Sequence, residues 1–92
     1  MQRVGCPVCG FNAIEVLDEF NQATFEICSS CGCEAGNEYN DSSTSSHLLM
    51  LRERWILIEK CKWHGMTKEM PEKWNPFEQM KLASLDIPNS CM

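Results

Sequence analysis

Two pairs of cysteines with the spacing of metal ligands stand in the first third of this sequence. Residues 6–10 have the sequence C-P-V-C-G and residues 28–32 have C-S-S-C-G, with eighteen residues between the inner cysteines. Each C-x2-C pair lets two thiolates converge on one cation, and two pairs complete a tetrahedral site. The spacing therefore predicts one structural metal site with four ligands, Cys6, Cys9, Cys28 and Cys31.

Zn²⁺ is the predicted ion, because it accepts a tetrahedron of soft thiolates and brings no redox chemistry. Iron is the alternative, since a rubredoxin uses a similar pair of knuckles, but zinc binds more tightly than ferrous iron. Pro7 restricts the first turn, and Gly10 and Gly32 stand where each turn is expected to need a positive φ. Two knuckles of this kind are typical of a zinc ribbon.

Disulfide bonding and redox catalysis are the alternative uses of such cysteines. The chain has seven cysteines, an odd number, and no charged-then-apolar leader opens this sequence, so we expect a cytoplasmic protein with reduced thiols. A redox C-x-x-C centre is expected as one pair in a βαβ unit, whereas here two pairs flank a hairpin. Both observations favour the metal site.

Three cysteines lie outside the two pairs. Cys33 could replace Cys31 as a ligand, although this would break the C-x2-C spacing. Cys61 stands among apolar residues, where a cysteine usually behaves as a small buried hydrophobe. Cys91 is next to the end of the sequence and is expected to be exposed.

The elements around these pairs predict an α+β fold, in which a zinc-ribbon β-hairpin with rubredoxin-like knuckles packs on one long and one short α-helix. We predict a single domain over residues 1–92, with the zinc ribbon at 1–41, the main helix at 46–64 and the short helix at 75–86. A chain of this length builds only a small core, so a structural metal would add needed stability.

Alternating apolar and acidic residues predict the two strands of the hairpin, 13–18 and 24–27. Glu15 and Glu26 would face away from the apolar side chains, which are Ile14, Val16, Phe25 and Ile27. Because each strand then leads to one knuckle, the hairpin would bring the four sulfurs together.

Apolar residues at helical spacing predict the main helix, with a late serine of residues 42–46 as its N-cap and Gly65 as its left-handed C-cap. Trp55 is expected in the core. Asn75 and Pro76 are typical of the N-cap and first position of the short helix. Arg52 and Arg54 fall on different sides of the main helix, so they form no basic stripe.

Charge is distributed very unevenly along the sequence. Residues 1–41 contain one basic residue and seven acids, a net charge of −6, whereas residues 42–92 carry +1. Four thiolates and one zinc ion would take the first segment to −8. Nucleic-acid binding depends largely on Lys and Arg displacing counterions, so this surface disfavours DNA and RNA.

An acidic surface instead suits a basic protein partner, for which it speeds encounter and adds specificity. Four thiolates leave zinc no open position for water or substrate, and no catalytic constellation is evident around the two histidines. We therefore expect a non-enzymatic protein-interaction module with no membrane association. A nucleic-acid or transcription accessory zinc ribbon is the alternative.

Several segments together resemble a family. The order C-P-V-C-G, F-E-I-C-S-S-C-G, L-R-E-R-W-I and W-N-P-F-E-Q-M is similar to that of small bacterial cysteine-rich proteins related to the CPCC family, over most of the chain. No enzymatic activity follows from the resemblance. Some small acidic bacterial proteins of this kind act as immunity proteins that cover a toxin, which implies a basic toxin as one possible partner.

Overall fold

The computed structural model describes residues 3–40 and 42–89. Along the chain it contains strand β1 (Arg3–Val4), strand β2 (Glu15–Leu17), helix α1 (Ser45–Leu57), a 3₁₀ helix (Thr67–Glu69) and helix α2 (Pro76–Leu82). The α+β class is therefore confirmed, with a two-stranded antiparallel sheet and two α-helices. In these two ranges, no helix has both the length and the apolar character that crossing a membrane requires.

The predicted hairpin forms only near its turn, where Leu17 and Ala23 make an antiparallel bridge and Asp18 N donates to Gln22 O (2.9 Å). β2 pairs with β1, with Arg3 opposite Leu17 and Val4 opposite Glu15. Residues 24–27 follow an irregular path beside β2. The physical reason is that side chains occupy the backbone groups a ladder would use: Thr24 Oγ1 donates to Glu15 O (2.6 Å) and Glu15 N donates to Glu26 Oε2 (3.1 Å).

Only the first of the two predicted strands buries its apolar side chains. Ile14 and Val16 are buried, as predicted, but Phe25 is 60% exposed and Ile27 is 63% exposed. Phe25 also has a φ of +59°, which interrupts the alternation of an extended strand. The side chains of residues 24–27 are thus not part of the core face that the sequence predicts.

Helix α1 begins close to its predicted start and ends seven residues before its predicted end. Its N-cap is Thr44, not one of the serines, and Thr44 Oγ1 accepts a hydrogen bond from His47 N (3.1 Å). After Leu57 the chain folds back, because Cys61 N donates to Trp55 O and Trp55 Nε1 donates to Lys62 O, both at 2.9 Å. Two consecutive left-handed residues, 60 and 61, make this turn possible.

Helix α2 has the predicted start. Asn75 is its N-cap, with Oδ1 accepting from Glu78 N (3.1 Å), and Pro76 is its first residue. The helix ends at Leu82, four residues before the predicted end, and Ser84 follows with a φ of +58°. A left-handed residue at this point stops the helical hydrogen-bond pattern.

The core is centred on the cysteines and closed by aromatic rings. Trp55 is 1% exposed, which confirms its predicted core position, and Met80 of α2 is fully buried. Trp63 packs edge-on against Phe11 and Trp74, at centroid distances of 5.4 and 5.2 Å, and Trp74 lies 6.3 Å from Trp55. The two helices and the segment after α1 thereby pack around the cysteine-bearing turns.

Candidate metal centre

The structure brings the four predicted cysteines into one buried cluster. Their sulfur atoms all lie within 4.8 Å of one another, with Cys6 and Cys31 at 3.7 Å and Cys9 and Cys28 at 3.6 Å. Cys33 is buried as well but is not part of this group, so the C-x2-C spacing distinguishes it correctly from Cys31. Four sulfurs at these distances could hold a metal ion.

Each cysteine pair lies on the same type of backbone turn. In the first knuckle, residues 6–10, Gly10 N donates to Cys6 O (2.9 Å); in the second knuckle, residues 28–32, Gly32 N donates to Cys28 O (2.8 Å). The two glycines have φ values of +86° and +80°, as predicted. The local sequence C-x-x-C-G therefore determines one geometry twice.

Each knuckle is also closed at its base by a backbone hydrogen bond. Cys6 N donates to Phe11 O (2.8 Å), and Cys28 N donates to Cys33 O (3.0 Å). These bonds reverse the chain just after each second cysteine, which directs both sulfurs of a pair toward the same point. The cluster is thus formed by two equivalent turns that face one another.

Hydrogen bonds between the thiols raise the pKa of some and lower the pKa of others. The bonds to Cys28 raise the pKa of Cys9 and of Cys31, while a bond from Cys31 lowers the pKa of Cys28 and a bond from Cys28 lowers the pKa of Cys6. Sulfurs so close together and so deeply buried cannot all ionise unless a cation neutralises them. The cluster is therefore suited to a cation that takes the place of the shared protons.

Tyr39 lies buried beside the cysteine cluster. Its hydroxyl group is buried and has no hydrogen-bond partner among the described residues. Burial raises the pKa of Tyr39, and negative charge on Cys6, Cys31 and Cys28 raises it further. A buried phenol kept in its proton-bearing form beside the sulfurs fits a thiolate cluster, which can accept hydrogen bonds.

Arg52 of α1 binds the backbone of the first knuckle. The side chain donates from Nε to Val8 O (2.6 Å), from Nη2 to Pro7 O (3.0 Å) and from Nη1 to Asp86 O (2.7 Å). Arg52 is 4% exposed, and burial lowers its pKa while Asp86 and the nearby sulfurs raise it. The guanidinium thus fixes the two residues between the ligands Cys6 and Cys9 and places a positive charge near them.

Gln79 of α2 connects the two knuckles. Its Nε2 donates to Cys9 O and to Ser30 Oγ, both at 3.0 Å, and its Oε1 accepts from Trp74 Nε1 (2.8 Å). Ser30 is fully buried, so this hydroxyl group needs a partner inside the protein. One amide therefore sets the distance between the two turns and ties both to helix α2.

The segment after α1 supports the second knuckle with backbone amides. His64 N and Gly65 N both donate to Ser29 O, at 2.8 and 2.7 Å. The ring of His64 lies over Gly32 and is also hydrogen bonded to Glu59. Gly65 therefore binds the knuckle and does not cap α1, which corrects its predicted role.

Arg52, Gln79 and Tyr39 were not predicted to lie at the site. For Arg52 a signal was present, because it stands four residues after Leu48 and three before Trp55, on the apolar face of α1. No pattern marked Gln79 or Tyr39, whose partners lie far away in sequence. His47 and His64 are not members of the four-residue metal-ligating group. Cys91 and its predicted exposure lie outside the described residues.

Comparison of this chain with protein-family models, with curated proteins and with solved structures gave no match.

Proposed function

We propose that this protein is a metal-stabilised, non-enzymatic protein-interaction module in which Cys6, Cys9, Cys28 and Cys31 hold one Zn²⁺ ion. The observation that carries the proposal is the approach of four buried sulfurs to within 4.8 Å of one another. The paired turns that carry these sulfurs support a ribbon-type site with rubredoxin-like knuckles. Zinc is preferred to iron because it binds such ligands more tightly than ferrous iron does.

The role assigned to the metal is structural. Four thiolates fill a tetrahedral shell, so the ion keeps no position for water or substrate. Binding of zinc to such a site supplies on the order of 10 kcal/mol, which becomes folding free energy when the unfolded chain does not form the site. The amount matters for a protein of 92 residues, whose core is small.

The partner in this proposal is a basic protein. From residue 4 to residue 51 the sequence contains no Lys or Arg, and six acids precede Asp41 in this stretch. Such an excess of acids favours encounter with a positively charged protein and disfavours phosphate backbones. An immunity or inhibitor protein that covers a basic toxin is the specific form of this role that we propose.

Elemental analysis of the purified protein tests the metal assignment. We expect one equivalent of zinc per chain and a colourless solution. Cys31→Ser should lose the metal, whereas the matched variant Cys33→Ser should keep it, because Cys33 is buried outside the cluster. Absence of a stoichiometric metal would overturn the assignment. A coloured protein that contains iron would show that the bound metal is iron and not zinc.

Recovery of partners at two salt concentrations tests the interaction role. Basic proteins retained at low salt and released at high salt are expected, because exposed charges are screened as ionic strength rises. A mobility shift with duplex DNA or RNA at physiological salt would instead support a nucleic-acid accessory role and contradict the proposed partner.

A further inference from the structure

Phe25 has an unusual backbone conformation for an aromatic residue. Its φ of +59° lies in the left-handed region, which glycine and asparagine enter readily but bulky side chains rarely adopt. Its ring is nevertheless 60% exposed, so burial of the ring does not account for the strain. Strained backbone conformations cluster at functional sites, which makes Phe25 a candidate for function.

Hydrogen bonds on both sides of Phe25 impose this conformation. Before it, Thr24 N donates to Val16 O (3.2 Å) and Thr24 Oγ1 donates to Glu15 O (2.6 Å). After it, Ala35 N donates to Glu26 O (3.0 Å). Because both neighbours are fixed to the scaffold, Phe25 cannot relax, and its ring is held at the surface.

Phe25 and Ile27 both lie beside the segment of residues 34–36. A Cβ atom on Gly36 would lie 3.0 Å from Phe25 Cε1, so the ring rests against this glycine. Ile27 forms an antiparallel bridge with Glu34 and is 63% exposed. We call Phe25, Ile27 and Gly36 the Phe25 patch.

Two acidic residues adjoin the Phe25 patch: Glu34 lies opposite Ile27 in the bridge, and Glu26 lies between Phe25 and Ile27 in sequence. One oxygen of each carboxylate accepts a hydrogen bond, from Glu15 N (3.1 Å) to Glu26 and from Asn37 Nδ2 (2.8 Å) to Glu34, which leaves the other oxygen for a partner. Two copies of the chain joined through this patch would bring these acids against each other, which disfavours self-association. A cation, in contrast, is attracted both by carboxylates and by the face of an exposed aromatic ring.

We propose that the Phe25 patch, with Glu26 and Glu34, is the docking surface for a basic protein segment that presents aliphatic side chains next to Lys or Arg. This inference rests on the proposed interaction role and assigns it to a place on the molecule. An exposed aromatic anchor surrounded by charge complementary to the partner is the arrangement expected of a binding hot spot.

A peptide titration followed by NMR tests the surface. The probe is a synthetic peptide of alternating Lys and Leu, with peptides of alternating Glu and Leu and of alternating Lys and Ser as comparisons. We expect the Lys–Leu peptide to shift the amide resonances of residues 24–27 and 34–36, to bind more weakly as salt rises and to bind more tightly than either comparison peptide.

Substitution of Phe25 separates binding from folding. Phe25→Asn keeps a residue that tolerates the left-handed conformation, so its melting temperature should not fall, while its affinity for the Lys–Leu peptide should fall by about tenfold or more. Ile27→Ala should weaken binding several-fold. The matched controls Phe77→Ala and Ile58→Ala remove exposed apolar side chains elsewhere and should leave affinity unchanged.

Two results would overturn the docking surface. If the Lys–Leu peptide binds with salt sensitivity but shifts other residues, or binds Phe25→Asn equally well, the surface is wrong while a basic partner stays in place. If the peptide does not bind, or the Glu–Leu peptide binds as tightly, the surface and the basic partner both fail. The zinc content of each variant reports separately on the metal site.

Discussion

The two knuckles have the same backbone turn, but different kinds of group hold them in place. In the first knuckle, the carbonyl groups of Pro7 and Val8 accept from the side chain of Arg52. In the second, the carbonyl group of Ser29 accepts from the backbone amides of residues 64 and 65. A side chain can be removed by mutation, whereas a backbone amide is kept by every residue except proline.

This difference indicates that the first knuckle depends on individual residues and the second on the path of the chain. Gln79 is a connection between them, because it donates to Cys9 O and to Ser30 Oγ. We therefore expect some changes to affect both knuckles and others to affect only one.

Removal of the metal should affect both knuckles equally, because they share one ion in the proposed site. Chelation is expected to cost on the order of 10 kcal/mol and to unfold residues 1–41. Circular dichroism and the melting temperature measure the loss, and added Zn²⁺ should restore both. An unchanged melting temperature after complete metal removal would contradict the structural role.

Arg52→Met should weaken the first knuckle selectively. It leaves three carbonyl groups without their donor, and we expect a loss of about 3 kcal/mol in the free energy of unfolding. Hydrogen exchange should accelerate at residues 6–10 more than at residues 28–32.

The matched control for this substitution is Arg54→Met on the same helix. Arg54 is exposed and pairs with Glu38 at 2.8 Å, and such pairs contribute about 1 kcal/mol or less. Equal losses in the two variants, or equal acceleration of exchange in the two knuckles, would show that Arg52 is not specific to the first.

Alanine at the two knuckle glycines should have unequal effects. Both substitutions force a Cβ atom into a positive φ, which costs about 1–2 kcal/mol. At Gly10 the Cβ would lie 2.8 Å from Ala83 Cβ and 2.9 Å from Gln79 O, both fixed by the backbone at the end of α2. At Gly32 it would meet the ring of His64, which can rotate away if it gives up its hydrogen bond to Glu59. We therefore expect Gly10→Ala to cost about 1 kcal/mol more than Gly32→Ala in urea unfolding.

Gly5→Ala is the control for the glycine pair. Gly5 has a φ of +105° and no heavy atom within 4 Å of its would-be Cβ, so this variant measures backbone strain alone. If Gly10→Ala costs no more than Gly5→Ala, close contact with α2 does not contribute.

Gln79→Met should produce a modest loss that affects both knuckles. Methionine has a similar length but leaves Cys9 O, Ser30 Oγ and Trp74 Nε1 without their partner, so a loss of about 1–2 kcal/mol is expected. Hydrogen exchange at residues 6–10 and 28–32 should accelerate to a similar extent. A response confined to one knuckle would show that the amide does not couple the two.

The cysteine site was accessible from the sequence because its information is local. Cys6, Cys9, Cys28 and Cys31 follow a spacing that few other chemistries require, and the glycine after each pair marks the turn. The start of α2 was predictable for the same reason, since Asn75 and Pro76 act within one helical turn.

The extent of the hairpin was not predictable, because beyond its turn side chains compete with the strand ladder. Alternation predicts a strand over residues 24–27, but Thr24 Oγ1 and Glu26 Oε2 bind the backbone of Glu15 in place of a ladder. The end of α1 was not predictable either, because it depends on a hydrogen bond from Trp55 Nε1 to Lys62 O that holds the chain folded back after Leu57.

The sequence alone therefore determined which residues could bind a metal, that the fold is α+β and that the acids are concentrated before residue 42. The tertiary structure decided what holds the sulfurs together: Arg52 lies 44 residues from Val8, and Gln79 lies 70 residues from Cys9. It also decided that Phe25 and Ile27 remain exposed. Spacing within a turn fixes local geometry, whereas long-range hydrogen bonds depend on how the whole chain packs, which no short pattern encodes.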